Sequence, residues 1–147
     1  RDTLEKKMTS EQIAEAQNIT QQRLRSWDQY HEILAPMEAN GYIKRPCIPA
    51  SCQHNAHMYY TLIPKGTSRK AILDELFDNG INSVFHYVPL HSSPAGKLYG
   101  KTHGKLPNTN DLSSRLIRLP LWVGLSKTQQ EKVVKGLYQA LVSQLAT

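Results

Sequence analysis

The chain has 147 residues, 39% hydrophobic and 20% charged, which suits one globular domain with a modest core and excludes an intrinsically disordered chain. No apolar run reaches membrane-spanning length, the start from Arg1 to Lys7 is charged rather than leader-like, and Cys47 and Cys52 are too few for a disulfide framework, so free thiols in a reducing cytoplasm are expected. The net charge of +6 is scattered, with only Lys97 to Lys105 locally enriched, so neither nucleic acid nor membrane is expected as a partner.

Thr9-Ser10-Glu11-Gln12 predicts a capping box that opens a long helix. Ile13, Ala16, Ile19, Leu24, Trp27, Tyr30, Leu34 and Met37 recur every three or four residues and predict its apolar stripe, ending near Asn40-Gly41. Pro46 and Pro49 mark an extended connector. Residues 58–63 read as a buried strand stopped by Pro64 and Gly66. Thr67 or Ser68 caps a second helix whose inner face is Ile72, Leu73, Leu76 and Phe77, closed by Asn79-Gly80. Residues 81–88 predict a second strand, ended by Pro89, which has no N–H to donate.

Residues 92–111 show no period and read as a long loop. Asn110-Asp111 caps a short helix through Arg115, Ile117–Leu121 forms a strand, and Ser126 with Gln129 opens the last helix. That helix is expected to bury Val133, Val134, Leu137, Leu141, Val142 and Leu145. The order predicts an α+β fold: a small, mainly antiparallel sheet covered by helices, with a long N-terminal helix.

The candidate site is Val84-Phe85-His86-Tyr87-Val88-Pro89-Leu90-His91. In a strand His86 and Tyr87 point to opposite faces, and His91 follows within a turn. Two imidazoles and a phenol are costly in a dry core, and they suit a site that binds polar groups and moves protons near neutral pH. Histidines satisfied at a strand end are the alternative reading. Cys47, Cys52, His54 and His57 are zinc-ligand types, but the spacing is no standard finger and the run is one contiguous stretch. No metal site is expected there.

Four segments resemble the C-terminal small domain of PLP-dependent sugar-nucleotide aminotransferases. Asn18 to Leu24, with Trp27 and Tyr30, is similar to the family's interdomain helix. His54 to Tyr60 resembles its His-x-Tyr strand, Gly80 to His91 its most specific motif, and Leu119-Pro120-Leu121 with Leu125-Ser126 its closing motif. His54–Tyr60 and Phe85–Gly96 are most similar to members that aminate dTDP-4-keto-6-deoxyglucose at C4 to give dTDP-4-amino-4,6-dideoxygalactose, for enterobacterial common antigen and related surface polysaccharide.

The resemblance implies a glutamate- and PLP-dependent transamination, and a fold-type I small domain over residues 17–147 after a divergent or foreign start at 1–16. It implies that His86 and Tyr87 face a dTDP-sugar, with His91 in support, and that the enzyme is a homo-oligomer. The family's Schiff-base lysine sits in a larger domain, and no lysine here has its context. No catalytic or cofactor-binding residue is therefore assigned, no PLP is expected on this chain, and the chain alone is not expected to transaminate. A protein-interaction module without catalysis is the competing reading. Exposure of Trp27 and Leu34 would favour that reading or a truncated enzyme.

Overall fold

The computed structural model describes residues 8–145. The charged start at residues 1–7 lies outside the described residues, as does the end at 146–147. Helix α1 spans Ser10–Ile33, about 36 Å at 1.5 Å per residue, and runs unbroken past residue 16. Its capping box forms as the sequence predicts: Thr9 Oγ1 accepts from the Gln12 amide at 3.3 Å, and Gln12 Oε1 accepts from the Thr9 amide at 2.9 Å. The helix ends earlier than expected. Leu34 caps it, and Pro36 opens a separate short helix α2, Ala35–Ala39. Proline fits a first turn, where its missing N–H would be unpaired anyway.

Three strands follow, β1 (Tyr59–Leu62), β2 (Val84–Phe85) and β3 (Leu116–Leu119), in the order β1-β3-β2 with both pairings antiparallel. Tyr59 faces Leu119 and Thr61 faces Ile117, and all four are buried on the core side. Phe85 pairs with Ile117 at the other edge. Lys44, outside the named strands, adds an isolated bridge to Leu62 at the end of β1. Helix α3 (Arg69–Asp78) joins β1 to β2. Past β2 come a 3-10 turn at Leu90–Ser92, helix α4 (Pro94–Tyr99) and helix α5 (Pro107–Arg115). Helix α6 (Lys127–Leu145) closes the described chain.

The core gathers Trp27, Tyr30 and Leu34 of α1, Ile72 and Leu76 of α3, Ile117 of β3, and Leu137 and Leu141 of α6. Burial of such a side chain is worth about 1.5–3 kcal/mol, so this cluster sets the fold. Trp27 and Leu34 are buried, so the exposure that an interaction module or a truncated enzyme would have shown at these two residues is not there. The first half of α1 is uncovered: Ile19 is 41% exposed although it continues the same stripe. Phe77 is a correction, at 71% exposed instead of inside; it lies a third of a turn from Leu76, off the face that meets α6. Val142 and Leu145 are likewise exposed, while Gly136 and Ala140 take the inner positions of α6.

The strand expected at 81–88 shortens to two residues because its start belongs to the end of α3. Gly80 sits at φ +70° and donates to the Phe77 carbonyl at 2.9 Å, and Ile81 donates to the Leu76 carbonyl at 2.8 Å. This pair of bonds is the Schellman closure, which glycine favours. Ile81 is thus buried by helix packing, not by a ladder. Residues 92–111 also differ from the expected loop, since they hold α4 and most of α5. Asn110 and Asp111 stand inside α5, whose first turn starts at Pro107.

Candidate functional site

The chain leaves the sheet after Phe85, so the alternation that would separate His86 from Tyr87 stops one residue early. Their rings lie together, centroids 4.6 Å apart and planes tilted by 59°, which corrects the expectation of opposite faces. His86 is half-buried, and its Nδ1 is shut off from solvent with no hydrogen-bond partner among the described residues. Tyr87 is 76% exposed.

Pro89 then starts a tight turn. Its carbonyl accepts from the amides of Ser92 at 2.9 Å and Ser93 at 3.1 Å, and from Ser92 Oγ at 2.9 Å. Ser93 caps α4, with Oγ accepting from the Gly96 amide at 3.0 Å and donating to the Leu90 carbonyl at 2.8 Å. Gly96 has no room for a side chain: a Cβ there would stand 1.6 Å from the Leu90 oxygen. The turn therefore rests directly on α4, and it fixes the direction of His91.

His91 Nε2 lies 2.9 Å from Asn110 Oδ1, a hydrogen bond that fixes the ring and leaves Nδ1 without a partner among the described residues. Helix α5 holds Asn110 in place through its last residue. Arg115 grips Asp111 with two bonds, 3.1 and 2.6 Å, and donates to the Ile63 carbonyl at 2.8 Å beyond the end of β1. The hydrogen bonds from Arg115 hold the Asp111 carboxyl below the usual carboxylate range, with Lys65 adding to the effect from 3.6 Å.

Two hollows flank this hydrogen bond. The smaller, about 300 Å³, is walled by Arg69, Phe85, Tyr87, Ser92 and Asn110. The larger, about 580 Å³, is walled by His91, Ala95, Tyr99, Lys101 and Leu106. The sequence-predicted residues are thus divided. Tyr87 faces one hollow, His91 the other, and His86 lies behind Tyr87 and lines neither.

Sequence reasoning missed Arg69, Gly96 and Asn110. One signal was available: residues 79–110 contain no Asp or Glu, yet carry His86, His91, Lys97, Lys101, His103 and Lys105. Arg69 adds a further cation. It donates to the Ser113 carbonyl, its guanidinium sits 5.2 Å above the Phe85 ring, and burial pushes it below the ordinary arginine value.

The residues present do not fit PLP by themselves. Lys101 lines the larger hollow, but that stretch has no carboxylate to meet a pyridinium nitrogen. Elsewhere, His54 packs on Trp27 with centroids 4.5 Å apart, and Cys47 and Cys52 are free and exposed. Among the described residues no three His, Cys, Asp or Glu side chains are grouped to hold a metal ion, and no helix is long and apolar enough to cross a membrane.

Comparison with known proteins places this geometry. The profile of the DegT/DnrJ/EryC1/StrS aminotransferase family matches residues 2–138. A pleiotropic regulatory protein of Geobacillus stearothermophilus is 31% identical over 85 residues, covering 57% of this chain and 22% of that protein. A DegT/DnrJ/EryC1/StrS aminotransferase from Brucella abortus superposes with a TM-score of 0.71 at 28% identity, covering 88% of this chain and 33% of that one. Helicobacter pylori PseC, an aminotransferase of pseudoaminic acid biosynthesis, superposes at 0.78 over 90% of this chain and 35% of its own, and at 22% identity it speaks for the fold alone. The chain spans about a third or less of each relative's length. The α+β fold is that of the small domain of a PLP aminotransferase, and the chain belongs to the DegT/DnrJ/EryC1/StrS aminotransferase family.

Proposed function

We propose that this chain forms the sugar-nucleotide side of a PLP- and glutamate-dependent sugar aminotransferase, and that its substrate is dTDP-4-keto-6-deoxyglucose, aminated at C4. The observation that carries the reading is the His91–Asn110 contact between two hollows, with Tyr87 at the mouth of one, in a chain of an aminotransferase family. Tyr87 offers a phenol that can donate or accept a hydrogen bond from a sugar hydroxyl or phosphate. His91 offers Nδ1 for a hydrogen bond while Asn110 fixes its ring. His86 supports Tyr87 from behind. PLP supplies the electron sink for amine transfer, and the lysine that carries it is proposed to come from a larger domain outside these residues. Residues 17–147 are the small domain in this reading, and the protein works in the cytoplasm as a homo-oligomer.

The test uses the complete enzyme that contains this chain, with PLP, glutamate and dTDP-4-keto-6-deoxyglucose. His91→Ala is expected to lower turnover by at least about tenfold, the loss of roughly one hydrogen bond to a polar substrate group, and His86→Ala to lower it by loosening Tyr87, both with little change in Tm. Turnover with other keto sugars but not with this one would overturn the choice of substrate. A fall in Tm that tracks the fall in rate would return His86 and His91 to a structural role.

A further inference from the structure

The connector between α2 and β1 carries both cysteines, and α1 gathers its two ends. At the near end the Arg45 amide donates to Glu38 Oε1 at 2.8 Å, Arg45 Nε donates to Glu38 Oε2 at 2.6 Å, and the rest of the fork reaches the His31 carbonyl. At the far end the His54 ring packs on Trp27 with centroids 4.5 Å apart, and the Ala56 carbonyl accepts from Arg23 Nε at 3.1 Å. Ala56 is buried and held at φ +50°, a backbone that alanine seldom adopts, so this end is firmly fixed. Trp27 and His31 stack on each other, one turn apart on α1, with centroids at 4.8 Å. Residues 45 and 54 are therefore tethered to one place, and the chain from 46 to 53 has to double back.

The tip of this loop is closed as well. The Cys52 amide donates to the Pro49 carbonyl at 2.9 Å, in a turn through Ala50 and Ser51. Cys47 stands two residues inside one tether and Cys52 two residues inside the other, on opposing limbs. Both thiols are free and exposed. A disulfide joins Cα atoms about 4.4–6.8 Å apart, and facing residues on neighbouring extended limbs stand about 4.5–5.5 Å apart. Residues 46–53 belong to no helix or strand, so closing the link breaks no regular structure.

We infer that Cys47 and Cys52 are a reversible redox pair that closes to an intramolecular disulfide across this loop. The oxidant is a small acidic disulfide of the glutathione disulfide class. One cysteine thiolate attacks it, forming a mixed disulfide and expelling one glutathione thiolate. The other cysteine thiolate then attacks the protein sulfur of that bond and expels the second. The protein gives up two protons and two electrons, and glutathione disulfide takes them up as two glutathione thiols. Residues 39–73 contain no Asp or Glu, and Glu38 is taken by Arg45, so no free carboxylate nearby in sequence repels such an oxidant. In a reducing compartment the pair rests as thiols and closes only as the poise turns oxidising. It lies outside both hollows and depends on neither sugar nor cofactor.

Equilibration of the 147-residue chain in glutathione buffers of set ratio, followed by acid quench and peptide mass mapping, tests it. A single Cys47–Cys52 link is expected, with a loss of about 2 Da and no dependence on protein concentration. The closing constant should be at least about tenfold higher in the folded chain than in the same chain unfolded in urea, because the tethers raise the effective concentration of one thiol at the other. His54→Ala and Arg45→Gln each release one tether, and each should move the constant toward the unfolded value. In Cys47→Ser, Cys52 should keep one glutathione that no neighbouring thiol displaces.

Equal closing constants in the folded and unfolded chain would overturn the inference, as would constants unchanged in both tether variants. Glutathione resting on both cysteines at once, or a link between two chains, would overturn it too.

Discussion

Replacing Gly96 by Ala removes the condition that lets the Leu90–Ser92 turn lie on α4. The new Cβ would stand 1.6 Å from the Leu90 oxygen and 2.6 Å from its carbonyl carbon, where real Cβ atoms keep about 3.0 Å or more. Turn or helix must move by about 1.4 Å, and the obstacle is backbone, which has no rotamer to escape into. Overpacking of this kind costs about 1–3 kcal/mol, against about 1 kcal/mol gained from alanine's helix propensity. A helix of six residues holds no reserve of its own to meet the difference, because isolated helices below about 12 residues are marginal. The segment should therefore give way locally. The amides of Lys97 and Gly100, bonded to the Ser93 and Gly96 carbonyls at 2.9 Å, are expected to lose hydrogen-exchange protection. The His91–Asn110 bond should break, moving the His91 ring nitrogen shifts. Tm should fall by less than about 2 °C, since Tyr59, Ile117 and Leu137 build the core elsewhere. Native exchange at Lys97 together with an intact His91–Asn110 bond in Gly96→Ala would refute the reasoning.

Two more outcomes are expected. Burial and the nearby Arg45 push the His31 imidazole below its ordinary value, against the weaker pull of Glu38 and Asp28, while its Nδ1 lies 3.2 Å from the Tyr59 hydroxyl. The unfolded chain then takes up this proton first, so stability is full above the unfolded value of about 6.5 and falls as pH drops below it. Denaturant melts between pH 7 and 5.5 should show this slope, His31→Gln should flatten it, and an unchanged slope in that variant would place the effect elsewhere. The uncovered stripe of α1, with Ile19 exposed, should drive self-association, at up to about 1.5–3 kcal/mol for each side chain fully covered. Sedimentation across the micromolar range reads this, and a strict monomer with Ile13 to Ile19 protected from exchange would disprove it.

The long elements were legible because each buries a periodic face. Trp27, Tyr30 and Leu34, or Val133, Leu137 and Leu141, repeat at the helical spacing and lie in the core. The capping residues were legible too: Thr9 with Gln12, and Ser126 with Gln129 at 2.9 Å, form as read. The small elements were not. Helices α4 and α5 bury no residue, so no apolar period marks them, and their starts are signalled only by Ser93-Pro94 and by Pro107. The strand at 81–88 was overextended because Ile81 and Val84 look alike as apolar residues, although one is buried by a helix closure and the other lies exposed in the ladder. At the site, His91 and Tyr87 stood out by chemistry. Arg69 and Asn110 did not, since their meaning depends on α3 and α5 meeting across 41 residues of chain.

The three-stranded sheet leaves two outer edges, and each is made poor at recruiting another strand. On one side Lys44 exchanges hydrogen bonds of 2.8 and 2.9 Å with Leu62, so the end of β1 is already occupied, and by a residue whose charge repels a flat apolar neighbour. On the other side β2 offers only two residues before the chain turns out of plane, and Pro89 has no N–H to extend a ladder. Cross-β templating needs six or seven regular residues in a row, and neither rim supplies them. A chain that associates through its long helix can therefore do so without opening a path to fibrous aggregation, and insertions that lengthen β2 past Phe85 are the changes that would create one.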